Sequence, residues 1–322
     1  GTSSSGPGSA TAASLCLGSV GTDSGGSVRH PAANCGVVGM RATIGRISRY
    51  PIDSFPASGI QSAAGPLTKT VEDNAIMLRI LGVYDPKYPI SINEPTDDYP
   101  AQLGIGVKGV RIGVPTDDWI WKKWITEEHE DRVRKAISIL EEKGAHVSLV
   151  SLPLSEESRV LSEGLGESEV WYEDHADLYE NADKWDELQA AIAANRNRQV
   201  DPRSYLMKAR KRLLVRQELV SAFKDVDLIA LPTGMTLGDK IGADTNIVRG
   251  QEVATRPRGT YLNSIASITG FPALSVPCGF VMDDRLPVGF QLMGRPLEES
   301  LIYGAAYAYE QATDWHLRPP PL

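Results

Sequence analysis

Residue types that can perform nucleophilic chemistry are concentrated in one segment, GTDSGGSVR at positions 21–29. Gly25 and Gly26 have no side chain to cover the backbone, so successive N–H groups there can form a nest that binds an anion or a developing oxyanion. Ser27 follows this nest directly, where a nucleophilic hydroxyl would lie beside the charge that it creates. The structural alternative is a glycine-rich turn that contains a serine by chance, and both interpretations stay open for this segment alone.

Other chemistries that use loops or histidines fit the sequence poorly. The Gly/Ser loop at positions 1–8 lacks the Lys-Ser/Thr of a P-loop, and GIGVKG at positions 104–109 precedes a predicted strand, which is the wrong context for a dinucleotide fingerprint. The GxSxG elbow of the α/β-hydrolases is absent, and the histidines have no metal-ligand spacing. His30 follows Arg29 directly, so it is not expected in the same pocket as Ser27. His129, in EEHED, is predicted to lie on a solvated helix face.

Composition restricts the class of protein. The chain has 322 residues, of which 42% are hydrophobic, and its 33 Lys+Arg against 41 Asp+Glu give a formal net charge of −8. A protein that binds nucleic acid or an anionic membrane surface would need a basic face, so neither partner is expected. Cys16, Cys35 and Cys278 are odd in number and far apart, which predicts no disulfide framework and a cytoplasmic location. No signal peptide is evident, and glycines and prolines interrupt the apolar stretch 268–281, which predicts no membrane span.

Predicted strands alternate with predicted helices along the chain. One helix is expected after Thr70, which has capping-box-like spacing with Asp73, and another over 127–143 with its end at Gly144. Loop, short helix, strand or turn, and loop are expected over residues 1–39, with the apolar stretch at 10–20. Apolar strands are expected at 110–115, 146–154, 227–233, 273–280 and 287–294, a polar helical region at 157–223 and a last helix near 297–313. This alternation predicts one α/β domain over residues 1–322 with a largely buried sheet.

The motifs around Ser27 extend along the chain and together resemble the amidase signature family. Residues 21–46 are similar to the family pattern GTDxGGS(I/V)RxPAxxxGxxGxxPTxGR, and residues 1–6 are similar to its GGSSGG-type loop. Ser3 and Ser27 match the two serines of the family pattern with the family spacing. The segments GPLTKTVEDNA, RIGVP, LIALPT and GFPALSVPCGFVMDDRLPVGFQLMGRPLEE resemble further family motifs, so the resemblance extends to about Leu301.

The resemblance implies both a fold and a mechanism. The fold would be a mixed β-sheet core covered by helices on both faces, an α/β/α arrangement. Ser27 would be the nucleophile that forms an acyl-enzyme, and Ser3 would be a bridging serine on a cis peptide bond that relays protons to a catalytic lysine. A desolvated, neutral lysine can act as such a base because burial lowers its pKa.

The resemblance also assigns supporting roles within the two loops. The oxyanion hole would be formed by the backbone N–H groups of Ser24, Gly25, Gly26 and Ser27. Loop support would come from Asp23, Arg29 and Ser4. No metal and no cofactor is expected, because a nucleophile, a base and oxyanion donors suffice for acyl transfer through serine.

The chain departs from the family pattern in two respects. Thr2 and Ser5 replace two glycines of the first loop, and neither predicted catalytic serine is lost. The catalytic lysine of the family belongs to a segment upstream of the first serine that this chain does not match. We therefore expect an N-terminal amidase segment, as a separate subunit or a part of the same protein, to supply the lysine and to bury this region. Four lysines are not candidates for the role and, apart from the first, are expected at the surface: Lys69, Lys108, Lys122 and Lys123.

The resemblance leaves the substrate open. Family members hydrolyse primary, aryl, fatty-acyl and cyclic amides, and some supply ammonia from glutamine within a transfer complex. Segments 202–223 and 256–263 lack a clear match to the arginine and the acidic residue of the glutaminase members, which favours a small, linear or cyclic amide. The alternatives are an amidotransferase subunit that supplies ammonia and a non-catalytic subunit of an amidase complex, and the assembly could extend to a higher oligomer. Aromatic residues of the variable middle would pack in the core or line a pocket: Trp119, Trp121, Trp124, Trp171, Tyr172 and Trp185.

Overall fold

The structure, a computed structural model, describes residues 3–51, 61–162, 165, 201–234, 238, 240, 242–254, 261–282 and 285–318. Its helices are α1 (Ser5–Ala12), α2 (Arg29–Cys35), α3 (Val71–Leu81), α4 (Tyr99–Gln102), α5 (Asp118–Trp121), α6 (Glu127–Glu142), α7 (Pro202–Ala222), α8 (Tyr261–Thr269) and α9 (Glu299–Glu310). Its strands are β1 (Gly18–Asp23), β2 (Val38–Arg41), β3 (Ala63–Thr68), β4 (Arg111–Pro115), β5 (His146–Val150), β6 (Leu228–Thr233), β7 (Thr245–Val248), β8 (Gln251–Ala254), β9 (Ala273–Val281) and β10 (Leu286–Gly294). The five predicted apolar strands are all present, as β4, β5, β6, β9 and β10.

Eight strands form one mixed sheet in the order β1-β3-β2-β9-β10-β6-β4-β5. Strand β4 runs parallel to both of its neighbours, and the other adjacent pairs are antiparallel. Strands β7 and β8 form a separate two-stranded hairpin. This sheet and its helices confirm the predicted α/β fold class.

Helices cover both faces of the sheet, as two neighbouring residues of β10 demonstrate. The ring of Phe290 packs edge-on against Tyr309 of α9, with 4.9 Å between the ring centroids. The side chain of Gln291 instead accepts a hydrogen bond from Arg29 of α2. Because successive side chains of a strand point to opposite faces, α9 and α2 lie on opposite sides of the sheet. The expected α/β/α arrangement is confirmed.

Local sequence signals predicted the ends of two helices correctly. Thr70 Oγ1 accepts a hydrogen bond from the N–H of Asp73 at 3.0 Å and donates to Asp73 Oδ2 at 2.7 Å, so it caps α3. Helix α6 ends at Glu142, and Gly144 follows with a φ of 102°, a conformation that favours glycine.

The prediction of a solvated His129 was wrong. His129 is only 2% exposed, and its Nε2 lies 3.3 Å from the carbonyl oxygen of Gly289 in β10. The residue lies four positions before Val133, on the helix face that also buries Ala136 and Leu140. Burial lowers the pKa of His129 to about 4, so the ring is neutral at physiological pH.

The short helix near the amino end begins earlier than expected. Helix α1 starts at Ser5, inside the first Gly/Ser loop, and ends at Ala12 within the apolar stretch where it was predicted. Gly8 allows α1 to approach α2 closely, because a Cβ at that position would lie 3.3 Å from Cys35 Sγ and 3.4 Å from Pro31 Cβ. Tertiary packing therefore overrides the weak helix propensity of this segment.

The variable middle of the chain is described only in part. Helix α7 confirms the helical character of its end, and none of the described helices is long and apolar enough to cross a membrane. Trp119 and Trp121 are buried in the core, whereas Trp124 is half-buried and stacks on Tyr261 with 4.6 Å between ring centroids. Three aromatic residues of the predicted cluster lie outside the described residues: Trp171, Tyr172 and Trp185.

Candidate active site

The two serines that match the family pattern lie close together. Ser3 Oγ donates a hydrogen bond to the backbone carbonyl of Ser27 at 3.0 Å, and the N–H of Ser4 donates to the same oxygen at 3.4 Å. Ser3 is exposed and has a φ of 96°, a strained value for a residue with a side chain, and Ser27 is half-buried. The peptide bond before Ser3 includes Thr2, which lies outside the described residues, so the expected cis bond stays a prediction.

The loop that carries Ser3 is fixed between α1 and β1. Ser4 is buried, and its Oγ accepts a hydrogen bond from the N–H of Thr22 at 3.3 Å and donates to the carbonyl of Thr22 at 3.4 Å. Glycine at position 21 makes this approach possible, because a Cβ there would lie 2.3 Å from Ser4 Oγ. Ser4 thereby attaches the first loop to the strand that leads into the second.

Asp23, the last residue of β1, is fully buried and organises the loop that follows. Its carboxylate accepts hydrogen bonds from Nε and Nη2 of Arg29, both at 3.0 Å, and Nη1 of Arg41 lies 3.3 Å away. Ser267 Oγ donates to Oδ1 at 3.2 Å. Burial alone would raise the pKa of the Asp23 carboxyl, but the charges of Arg29 and Arg41 hold that pKa well below its usual range. Asp23 is therefore ionised at neutral pH, between two buried arginines.

The same carboxylate engages part of the glycine loop, defined here as residues 24–28. The N–H groups of Gly26, Val28 and Arg29 donate to Asp23 at 2.9, 3.3 and 3.5 Å. Within the described part of the chain, the N–H groups of Ser24, Gly25 and Ser27 form no hydrogen bond. These three are the donors that the loop can offer to an anion. The expectation that Gly26 also contributes requires its N–H to be shared with Asp23, and it stays a prediction.

Residues far along the chain fix the glycine loop, and sequence reasoning missed them. Arg29 Nη1 donates to Gln291 Oε1 at 2.7 Å, and Gln291 Nε2 donates to Asn263 Oδ1 at 2.9 Å. Arg29 Nη2 also donates to the backbone carbonyl of Asn263 at 2.8 Å. Both amides interrupt apolar runs, in YLNSIASITG and in VGFQLMG, and a buried polar residue within such a run is the signal that could have found them.

The exposed side of the glycine loop is tied to the segment that precedes β3. Ser24 Oγ donates to Ser62 Oγ at 2.8 Å. The neighbouring Gln61 donates through Nε2 to the carbonyl and the hydroxyl of Ser162 at 2.8 and 2.7 Å. The hydroxyl of Ser24 therefore anchors the loop, while its N–H is left to face a ligand.

The histidine beside the loop does not contact Ser27. The Nε2 atom of His30 lies 3.1 Å from Nδ2 of Asn34, and its Nδ1 is buried without a hydrogen-bond partner in the described part of the protein. Burial lowers the pKa of His30 to about 4, so the ring is neutral at physiological pH.

The described lysines do not provide a buried base either. Each of them is exposed or half-buried, as the surface positions expected for Lys108, Lys122 and Lys123 illustrate. Lys69 donates to Ser14 Oγ, away from the two serines that match the family pattern. Within the described residues, no group of three or more His, Cys, Asp or Glu side chains is arranged to hold a metal ion.

Comparison with a curated relative extends over the whole chain. It is 36% identical over 351 aligned positions to one subunit of the glutamyl-tRNA(Gln) amidotransferase of Geobacillus thermodenitrificans, and the match covers all of this chain and 69% of that protein. A solved structure of a vestigial protein complex that reveals the evolutionary origins of an s-triazine catabolic enzyme superposes with a TM-score of 0.85 at 27% identity. That superposition covers 95% of this chain and 65% of the other, so the chain spans less than two thirds of that neighbour.

A more distant structure supports the fold alone. The 6-aminohexanoate cyclic dimer hydrolase superposes with a TM-score of 0.85 at 23% identity, over 99% of this chain and 69% of that enzyme. The Amidase family matches residues 1–302, which include both loops and all ten described strands. The chain belongs to the amidase family, that of the amidase signature enzymes.

Proposed function

We propose that this chain carries the nucleophile of a serine amidase that hydrolyses the C–N bond of a small amide. The observation that carries the proposal is the convergence of Ser3 on Ser27, 3.0 Å from hydroxyl to backbone carbonyl, beside three N–H groups without a hydrogen bond in the described part of the chain. A nucleophile and oxyanion donors are the parts that acyl transfer requires from one loop.

The proposed reaction has two halves. Ser27 Oγ attacks the amide carbonyl carbon and loses its proton to Ser3 Oγ, which passes its own proton to a neutral lysine. The N–H groups of Ser24, Gly25 and Ser27, with that of Gly26 shared with Asp23, stabilise the tetrahedral oxyanion. The intermediate collapses to an ester on Ser27 and expels the amine, which takes a proton back through the relay. Water then hydrolyses the ester by the same route and regenerates the free hydroxyl.

The lysine of this relay is proposed to come from polypeptide outside these 322 residues. A base of this kind must be desolvated to be neutral near pH 7, and the described lysines are not buried. Strand β1 is an edge of the sheet, and the apolar side chains around it are open to solvent: Leu15 is 81% exposed, Leu17 is 94% exposed and Val20 is 41% exposed. An amidase segment that covers this edge, from the same protein or from a separate subunit, would complete the domain and bury these side chains.

Asp23, Arg29 and Ser4 are proposed to support the loops without reacting. The three cysteines form no disulfide, which supports the cytoplasmic location expected from the sequence.

A second candidate is the supply of ammonia from glutamine within a transfer complex. The specific observation in its favour is the 36% identity, over the whole chain, to one subunit of a glutamyl-tRNA(Gln) amidotransferase. The two candidates share the chemistry at Ser27 and differ in the substrate. Ammonia release from glutamine, compared with release from a panel of linear and cyclic carboxamides, separates them.

The test uses the full-length amidase and a fluorophosphonate probe that reacts with activated serine. Ser27→Ala should abolish both labelling and turnover, and Ser3→Ala should reduce both strongly. Ser9→Ala is the matched control, because Ser9 is an exposed serine of α1 whose hydroxyl donates only to the carbonyl of Gly6 at 3.0 Å. Labelling that persists in Ser27→Ala, or near-normal turnover in Ser3→Ala, would refute the assignment. A full-length wild type that neither labels nor turns over any amide would favour the non-catalytic subunit.

A further inference from the structure

One buried amide lies against the glycine loop with its donor unused. Asn263, in the first turn of α8, is fully buried, and its Oδ1 accepts hydrogen bonds from Gln291 Nε2 at 2.9 Å and from the N–H of Gly234 at 3.4 Å. Its Nδ2 is also buried and has no hydrogen-bond partner among the described residues. A buried donor without a partner destabilises a fold, so packing alone does not explain this residue.

The direction of that amide is set by a chain of donors and acceptors that begins at Arg29. A guanidinium can only donate, so Gln291 must turn its Oε1 towards Arg29, at 2.7 Å from Nη1. The Nε2 of Gln291 then faces the other way and donates to the carbonyl of Pro232 at 3.0 Å and to Asn263 Oδ1 at 2.9 Å. Since Oδ1 of Asn263 is held by Gln291, its Nδ2 points away from Gln291.

The side chain of Asn263 is the surface against which the loop rests. A Cβ built on Gly26 would lie 2.4 Å from Asn263 Cβ and 2.6 Å from its Nδ2, so the asparagine touches the Gly26 backbone directly. Gly26 has a φ of 118°, which favours glycine, and the peptide between Gly25 and Gly26 is therefore fixed from one side by Asp23 and from the other by Asn263.

We propose that Asn263 is a positioning residue for the oxyanion donors of the glycine loop, oriented by Arg29 through Gln291. The inference rests on the proposed function of that loop. Donors that act on the developing oxyanion contribute in the transition state more than in the ground state, so their misplacement lowers kcat and leaves KM nearly unchanged. A purely structural role would instead lower the fraction of correctly folded protein.

The experiment measures kcat and KM per active site, with the active-site concentration taken from stoichiometric labelling of Ser27 in the full-length amidase. Asn263→Ala removes the amide. Gln291→Glu keeps the shape and the acceptor for Arg29, but a carboxylate cannot donate, so Asn263 must turn its Nδ2 towards it and its Oδ1 towards Gly26. Thr269→Val is the control, because it alters a buried polar residue of the same helix whose hydroxyl bonds only within α8.

Both test variants should lower kcat per labelled site by about 10- to 100-fold, less than the roughly 10²–10³-fold that follows from removal of one oxyanion donor. KM should change by no more than about threefold, and Thr269→Val should keep the kcat of the wild type. If Asn263→Ala and Gln291→Glu reduce only the labelled fraction and keep kcat per site, the positioning role is refuted while the proposed function stands. If wild-type Ser27 does not label, the proposed function fails and this inference fails with it.

Discussion

Replacement of Asp23 by asparagine tests whether one buried carboxylate holds the glycine loop. Asp23→Asn preserves the shape of the side chain but leaves the buried guanidinium groups of Arg29 and Arg41 without their counter-ion. Removal of one partner from a buried ion pair costs about 3–5 kcal/mol, because the remaining charge is desolvated and uncompensated. The asparagine also loses one of the two acceptors that bind the N–H groups of Gly26 and Val28.

The assay is equilibrium unfolding in urea. With a slope near 3 kcal/mol per molar urea, the expected loss moves the midpoint of Asp23→Asn down by roughly 1–2 M. The control is Asp118→Asn, which removes an exposed pair with Lys122 (74% and 65% side-chain exposure) and should cost no more than about 0.5 kcal/mol. The double variant Asp23→Asn/Arg29→Gln should lose less stability than the sum of the two single variants, because it also removes one of the stranded charges.

The pH dependence supplies an independent check on Asp23. Its pKa is lowered in the folded state, so its contribution to stability is present above the pKa of the unfolded chain, about 3.9, and is lost as the pH falls below it. The difference in stability between wild type and Asp23→Asn should therefore narrow in acid. A midpoint for Asp23→Asn within about 0.3 M of the Asp118→Asn control would refute the reasoning.

Three further predictions concern other positions. Burial raises the pKa of Glu310 to about 7, so wild-type stability should fall as the pH rises from about 4.3 through 7, and urea titrations should find this slope missing in Glu310→Gln. Gly26→Ala places a Cβ 2.4 Å from that of Asn263 at a φ of 118°, so it should lower the melting temperature and the labelling of the nucleophile, whereas Gly6→Ala, with open space around it, should do neither. Thr70→Ala removes the cap of α3 and should cost about 1 kcal/mol in urea unfolding, and an unchanged midpoint would contradict the capping role.

Sequence predicted the features that depend on a few neighbouring residues. The cap at Thr70 and the glycine that ends α6 at position 144 are local signals, and both are as expected. Strand β3 was not predicted, because AAGPLT contains Gly65 and Pro66, which are weak strand formers. The structure gives the reason for Gly65, since a Cβ there would lie 1.8 Å from the carbonyl oxygen of Met40.

Helix patterning contained more information than the prediction used. His129 continues the buried face of α6 through Val133, Ala136 and Leu140, yet its acidic neighbours suggested a solvated position. The candidate site divides in the same way. Both loops are legible as motifs, whereas the link from Arg29 to Gln291 joins residues 262 positions apart and depends on the assembled sheet.

The glycine loop divides its backbone donors according to their access to water. Gly26, Val28 and Arg29 are buried, and their N–H groups donate to the ionised Asp23, which satisfies donors that water cannot reach. Ser24 is exposed and Gly25 and Ser27 are half-buried, so water can solvate their N–H groups at little cost when no substrate is bound. A substrate oxyanion then exchanges with water at donors that are already oriented, and the neighbouring histidine, with its pKa near 4, places no competing charge there. The loop can therefore keep unused donors beside a nucleophile without the instability that the same donors would cause in the core.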